Sequence, residues 1–249
     1  MEVHHHAHTE RKKWTHYFWE FLMLFLAVTL GFFVENQREH YVENQRERQF
    51  MRSLLHDLEA DTSNFTYTIE THTESNKMID TLIDLLKSPD RNRLTGKIYF
   101  FAKSVPLADF GLHTVNKTYE QMKSSGNLRL VHNISLLDSL GYYYFYFNDI
   151  YGIGPPQMQF ENRHDLFVSY NKLFDAAVFQ KMIQSSAEFV TMPDGNPPLL
   201  TNDPDIINEI CMRYNNMYFT RKVINGWAEA EKSFATLLIK KIEKEYHLE

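Results

Sequence analysis

The chain has 249 residues, of which 43% are hydrophobic and 23% charged, with a net charge of −6. That apolar content excludes general disorder, and the acidic balance gives a nucleic-acid role no global electrostatic support. A single cysteine, Cys211, excludes an intramolecular disulfide and any multi-cysteine zinc or iron–sulfur site. Nine Gly and eight Pro are too few for a loop-rich all-β fold.

Residues 1–13 form a His-rich basic tail. His4, His5, His6 and His8 are weak metal-ligand candidates, since a tract of this kind binds transition metals adventitiously without a fixed site. No cofactor is expected. Arg11, Lys12 and Lys13 close the tail, and Trp14, Tyr17 and Trp19 follow them.

Residues 21–34, FLMLFLAVTLGFFV, carry no charge, and extending the run back to Tyr17 adds only Glu20. About twenty apolar residues span a bilayer. Aromatic rings at the N-terminal edge suit the interface, so a transmembrane helix is predicted over 14–34. The run ends Gly31-Phe32-Phe33-Val34-Glu35 with no small-residue cleavage pattern, which favours an uncleaved signal anchor over a signal peptide. Arg11, Lys12 and Lys13 on one flank balance Arg38, Arg46 and Arg48 on the other. The tighter N-terminal cluster points to a cytoplasmic N-terminus. The expected topology is therefore a single crossing with the C-terminal domain on the non-cytoplasmic side.

Glu20 is the odd residue of the span. It can snorkel to the interface from about one turn inside. At 100° per residue it also shares a stripe with Leu24, Ala27 and Gly31. Ala27 and Gly31 make a small-xxx-small pair that allows close helix approach, so this stripe is the candidate transmembrane contact face.

Residues 35–90 read as one long helix. Its polar start, ENQREHYVENQRER, has no Gly or Pro. Then Met51, Leu55, Leu58, Thr62, Phe65, Ile69, His72, Asn76, Ile79, Ile83 and Leu86 follow alternating 4,3 spacing. Ser88-Pro89-Asp90 should end the helix, giving an extramembrane length of roughly 80 Å at 1.5 Å per residue. His72 and Asn76, one turn apart on the seam, are a candidate polar layer that fixes register; a pH-sensitive contact is the alternative.

Residues 91–249 read as the remainder of a helical bundle. Helices are expected over 92–104, 115–123 and 131–151, with Gly126 as a left-handed C-cap after the second. The aromatic run Tyr142 to Phe147 has strand propensity, but helical neighbours and the lack of a second strand to pair with favour helix. Six consecutive aromatics cannot all face one way, so some must be exposed or meet a partner. Gly152-Ile153-Gly154-Pro155-Pro156 should break the chain before an amphipathic stretch over 157–187. Residues 191–202 hold three prolines and read as a loop. Asp203 and Pro204 look like an N-cap and first helical residue of a last helix reaching about Tyr246, with Ile207, Ile210, Tyr214, Met217, Arg221, Ile224, Ala228, Ala235, Leu238 and Ile242 near one stripe. The fold class is all-α.

Two stretches carry a resemblance. One is the His-rich tail and basic triplet with YFWEFLMLFLAVTLGFFVENQREHYVENQRERQFMRSLLHDLEADT; the other is TYEQMKSSGNLRLVHN at 118–133, followed by Tyr142-Tyr143. Together they resemble a broad group of uncharacterised bacterial single-pass membrane proteins. In that group a Glu-bearing hydrophobic helix runs into a charged helix, and an SSGNLRL-type turn joins two later helices. The resemblance implies a membrane location and a helical extramembrane domain, and it implies no activity; with the flank charges, its bacterial character makes the expected location a cell inner membrane, crossed once, with the C-terminal domain in the periplasm.

The remaining motifs carry little chemistry. Cys211 lies on an apolar helix face and reads as a buried, inert thiol. His132-Asn133 and His164-Asp165 are sequence neighbours, which is not the spatial logic of a triad. His132 reads as a helix start or cap. GIGPP at 152–156 is not a phosphate loop. The matches to N-x-[ST] at Asn64, Asn116 and Asn133 matter only in a eukaryotic secretory pathway. The expected function is a membrane-anchored helical scaffold or accessory subunit, partnered by the bilayer and by a second copy or another membrane protein. The alternative is a small-ligand or envelope-signal sensor acting through the continuous first helix. A membrane-tethered enzyme ranks third.

Overall fold

A computed structural model describes residues 14–108, 112–146, 154–182 and 190–248. Every regular element among them is helical, and none is a strand, so the chain is all-α as its periodicity requires. It divides into two compact units, Met1–Gln49 and Phe50–Glu249.

Helix α1, Trp14–Lys87, is 74 residues long and contributes to both units. It ends where Ser88-Pro89 was expected to stop it, with Lys87 in the last turn against the exposed carbonyls. In the first unit its apolar residues stand open: the 18-residue window apolar enough to cross a membrane has none of its residues buried.

In the second unit α1 behaves differently. Of the predicted seam, Met51, Leu55, Leu58, Phe65, His72, Asn76, Ile79 and Leu86 are buried, and Thr62, Ile69 and Ile83 are half-buried. Leu54, Asp57, Asp61, Thr68, Ser75 and Leu82 are buried as well, so the covered arc is wider than a two-helix seam. The reason is that α1 has neighbours on more than one side.

The chief neighbour is α7, Pro204–Tyr246. The Asp203 carboxylate accepts the Asp205 amide at 2.8 Å, and Pro204 sits in the first turn, where no intrahelical N–H is needed. Its predicted stripe is buried throughout: Ile207, Ile210, Tyr214, Met217, Arg221, Ile224, Ala228, Ala235, Leu238 and Ile242. The helices run antiparallel. Leu82 and Leu86 share a core with Ile207 and Ile210, Phe65 with Ile224 and Ala228, and Met51 and Leu54 with Leu238 and Ile242.

Shorter helices cover the two ends of this pair. Around the Leu82–Ile207 end lie α2, Thr95–Ser104; α5, Gly154–Tyr170; and α6, Ala176–Lys181. The hydroxyls of Tyr170 and Tyr214 converge on the Ala102 carbonyl and lie 2.7 Å apart. The 191–202 segment is the expected loop, and it packs closely on α2. Gly96 donates its amide to Asn196 Oδ1 at 3.0 Å, and a β-carbon at Gly96 would collide with the Gly195 carbonyl.

Around the Met51–Ile242 end lie α3, Lys117–Ser124, and α4, Ile134–Phe145. Gly126 follows α3 at φ 70°, the left-handed turn its type allows. The aromatic run is helix through Phe145, burying Tyr143 and Tyr144 and leaving Tyr142 and Phe145 exposed. Phe147 and the rest of the predicted helix to 151 lie outside the described residues. Gly154, Pro155 and Pro156 open α5 rather than precede it, because two prolines fit a first helical turn. The amphipathic 157–187 stretch divides at 171–175 into α5 and α6; residues 183–189 lie outside the described set.

Candidate functional site

In the first unit Glu20, Leu24, Ala27 and Gly31 are all exposed on α1. A β-carbon at Gly31 would meet nothing within 4 Å, so the stripe is open to a close neighbour. Glu20 has a partner in its own helix: His16 Nε2 lies 3.2 Å from its Oε1. The 16/20 spacing was visible in the sequence as an i,i+4 pair, and sequence reading passed over it.

In the second unit His72 and Asn76 are both buried, and each reaches α7. His72 Nδ1 donates to Asn225 Oδ1 at 2.8 Å, and Asn76 Nδ2 donates to the Tyr218 carbonyl at 3.4 Å. Asn225 Nδ2 returns a bond to the Ile69 carbonyl. The two residues thus join α1 to α7 at one level, as a register-fixing layer would. One turn away, fully buried Arg221 donates to Ser75 Oγ at 2.8 Å and to the Val105 carbonyl at 2.7 Å. It ties α7 to α1 and to the short 3₁₀ turn Val105–Ala108.

The densest polar chemistry lies where sequence reading did not look. Asp57 and Asp61, one turn apart on α1, are both buried beside the start of α3. Asp61 Oδ1 accepts the Val115 amide at 2.6 Å, and its Oδ2 accepts the Tyr143 hydroxyl at 2.8 Å. Asp57 Oδ2 accepts the Thr118 amide at 3.1 Å, and Lys117 Nζ lies 3.6 Å from Oδ1. The amides of Val115, just before α3, and Thr118, in its first turn, thus receive their acceptors from another helix, while Asn116 at the N-cap makes no side-chain cap bond. Asp57 lies in the first resemblance stretch and Thr118 in the second, so those stretches meet in space.

Burial sets the electrostatics of this junction. Desolvation pushes Asp61 up to about 6 despite the Val115 and Tyr143 hydrogen bonds, which pull it down. Desolvation and the Asp61 charge push the Tyr143 hydroxyl far above the ordinary phenol range, so it stays a donor. Glu231 on α7 is pushed up to about 7 by burial, and its Oε2 has no hydrogen-bond partner among the described residues. The Glu231 charge adds to the upward shift of Tyr143. Chemically the cluster can take up and release protons near neutrality. The available signal was the pair of acids flanking the apolar seam, but only the fold reveals which amides they serve.

The other candidates separate. Burial pushes the Cys211 thiol up, which keeps it protonated. The cap before α4 is Asn133, whose side chain accepts the Leu136 amide at 3.0 Å; His132 precedes it. Asp165 pairs with Arg213 at 2.8 Å. Among the described residues no group of three or more His, Cys, Asp or Glu could hold a metal ion. His4, His5, His6 and His8 lie outside the described residues.

No protein-family model matches the chain, and no curated protein or solved structure is similar to it.

Proposed function

We propose that the chain is a single-pass inner-membrane protein whose helical bundle serves as a scaffold or accessory subunit, assembling with a second copy or another membrane protein. The observation that supports this best is that no residue in the membrane-length apolar window of α1 is buried, with Glu20, Leu24, Ala27 and Gly31 presented together on an open face. Lipid covers most of that surface, and a second helix covers the small-residue stripe. The resemblance to bacterial single-pass membrane proteins agrees with this reading. The bundle faces the periplasm, with the basic 11–13 cluster on the cytoplasmic side.

Crosslinking in native membranes, followed by co-purification in mild detergent, tests it. Wild-type chain should yield a discrete adduct. Gly31→Leu should abolish the adduct, and Leu22→Ala should leave it. Equal behaviour of the two variants, or a chain extracted by carbonate, would overturn the assignment. A sensor is the second reading, favoured by the buried carboxyls of Asp61 and Glu231 at the α1, α4 and α7 junction, which desolvation pushes up to about 6 and 7. It requires the oligomer or its crosslinks to change between pH 5 and 8.

A further inference from the structure

On α5, Phe160, Arg163, His164 and Phe167 follow i, i+3, i+4, i+7 spacing and so share one helix face. With Lys103 in the last turn of α2 and Leu107 in the 3₁₀ turn after it, they line a cavity of about 290 Å³. Its walls are apolar but uncovered. Phe160 is 64% exposed, Phe167 52% and Leu107 50%, while Leu166 and Tyr170 of the same helix are buried. Large rings left open on one face of an otherwise packed helix ask for an occupant.

The charges around the cavity have one sign. Lys103 and Arg163 line it, His164 stacks on Phe160, and no carboxylate lines it among the described residues. The acids next to Arg163 in sequence are engaged elsewhere. Asp165 accepts from Arg213 at 2.8 Å, and Glu161 accepts from Gln157 at 2.9 Å. Arg163 itself makes no hydrogen bond or ion pair among the described residues. Lys103 Nζ lies 5.1 Å from the Phe179 ring centre, a contact that leaves its N–H donors available.

We infer that this groove binds a single-chain fatty acid, with the alkyl chain against Leu107, Phe160 and Phe167 and the carboxylate on Arg163 and Lys103. The guanidinium fork matches a carboxylate in two-point fashion, and the ammonium adds a point charge. The volume falls just under the usual range of small-molecule sites, which suits one slender chain better than a two-chain lipid. A single anionic head matches the uniformly basic rim, and a chain without that head leaves Arg163 and Lys103 unanswered.

The test uses the full chain in lipid nanodiscs, with dansylaminoundecanoate fluorescence as the probe and empty nanodiscs subtracted. Saturable binding is expected, displaced by laurate and about tenfold less well by dodecanol, which has the chain without the charge. Arg163→Gln should weaken binding by about tenfold and Lys103→Gln by a smaller factor. Arg129→Gln, a surface cation on the 3₁₀ turn after α3, should bind like the wild type. The proposal fails if empty nanodiscs reproduce the signal, if dodecanol competes as well as laurate, or if Arg129→Gln loses as much as Arg163→Gln. It also fails if a polyglutamate peptide displaces the probe and laurate does not, which would assign an acidic polypeptide. Far-UV spectra identify a variant that does not fold; if Arg163→Gln is one, Lys103→Gln and the dodecanol comparison still decide.

Discussion

Over residues 21–34 helix α1 carries no charge on any face, and Phe21, Leu24, Phe32 and Val34 stand exposed. From Met51 onward the same helix buries a wide arc and turns its remaining polar side chains outward. The treatment of acids differs in the same way. Glu20 pairs with His16 one turn back in its own helix, whereas Asp61 takes its partners from Val115 and Tyr143, far along the chain. A helix solvated by lipid must satisfy its polar groups locally or with another helix in the membrane. A helix in a folded bundle can use distant backbone amides, and Asp57 and Asp61 do so for α3.

The contrast is broken most strongly by removing core volume. Leu54→Ala should cost about 3–5 kcal/mol of unfolding free energy, because the site is enclosed by α1, α3, α4 and α7 side chains. Leu24→Ala, with its side chain outside any protein core, should leave the unfolding free energy from urea titration unchanged within about 0.5 kcal/mol. A similar loss for both would show that the first unit is packed in protein.

The reverse experiment puts charge where lipid should be. Leu26→Arg should cost about 2.5–3.5 kcal/mol of insertion free energy and raise the carbonate-extracted fraction. Tyr67→Arg, at an exposed position of the second unit, should change stability by no more than about 0.5 kcal/mol.

Glycines sharpen the comparison further. Gly96→Ala forces a β-carbon into the Gly195 carbonyl and should cost about 1–3 kcal/mol in the melting of the second unit. Gly31→Ala meets no atom within 4 Å and should leave that melting unchanged.

The smallest expected effect is a pH dependence. In the folded chain burial pushes Asp61 up to about 6 and Glu231 up to about 7, from ordinary values of 3.8 and 4.5. Between those values the folded state holds more protons than the unfolded one. Their contribution to stability is therefore largest at the acid end, and it is lost as pH rises through about 6 and then 7. Urea unfolding of the full chain should give a higher midpoint at pH 5 than at pH 8, with an unfolding free energy larger by on the order of 1–2 kcal/mol. Glu231→Gln should be neutral or stabilising at pH 8 and should shrink the difference. A pH-independent midpoint, or one that falls with acid, would remove both groups as stability determinants.

The all-α class, the end of α1 at Lys87, the left-handed Gly126 and the Asp203-Pro204 start of α7 were legible because each rests on local physics. Periodicity, proline geometry and capping operate within a few residues of chain. The stripe on α7 was legible for the same reason, Arg221 included, although its bond to the Val105 carbonyl was not. The His72 and Asn76 level was visible as two polar residues on an apolar seam; Asn225 and Tyr218 as their partners were not.

Tertiary structure alone decided the rest. Nothing local distinguishes Asp57 and Asp61 from the exposed Glu59 between them, since the difference is which residues α3 and α4 bring up to the helix. The groove at Arg163 likewise needs α2 and α5 to converge, which depends on the 191–202 loop, the Gly96–Gly195 approach and the Tyr170–Tyr214 contact. Local sequence fixes which way a side chain points on its own helix. The identity of the group it meets is set by packing between segments far apart in sequence, such as 44 residues for Tyr170 and Tyr214 and 153 for His72 and Asn225, and a close-packed core admits few such arrangements.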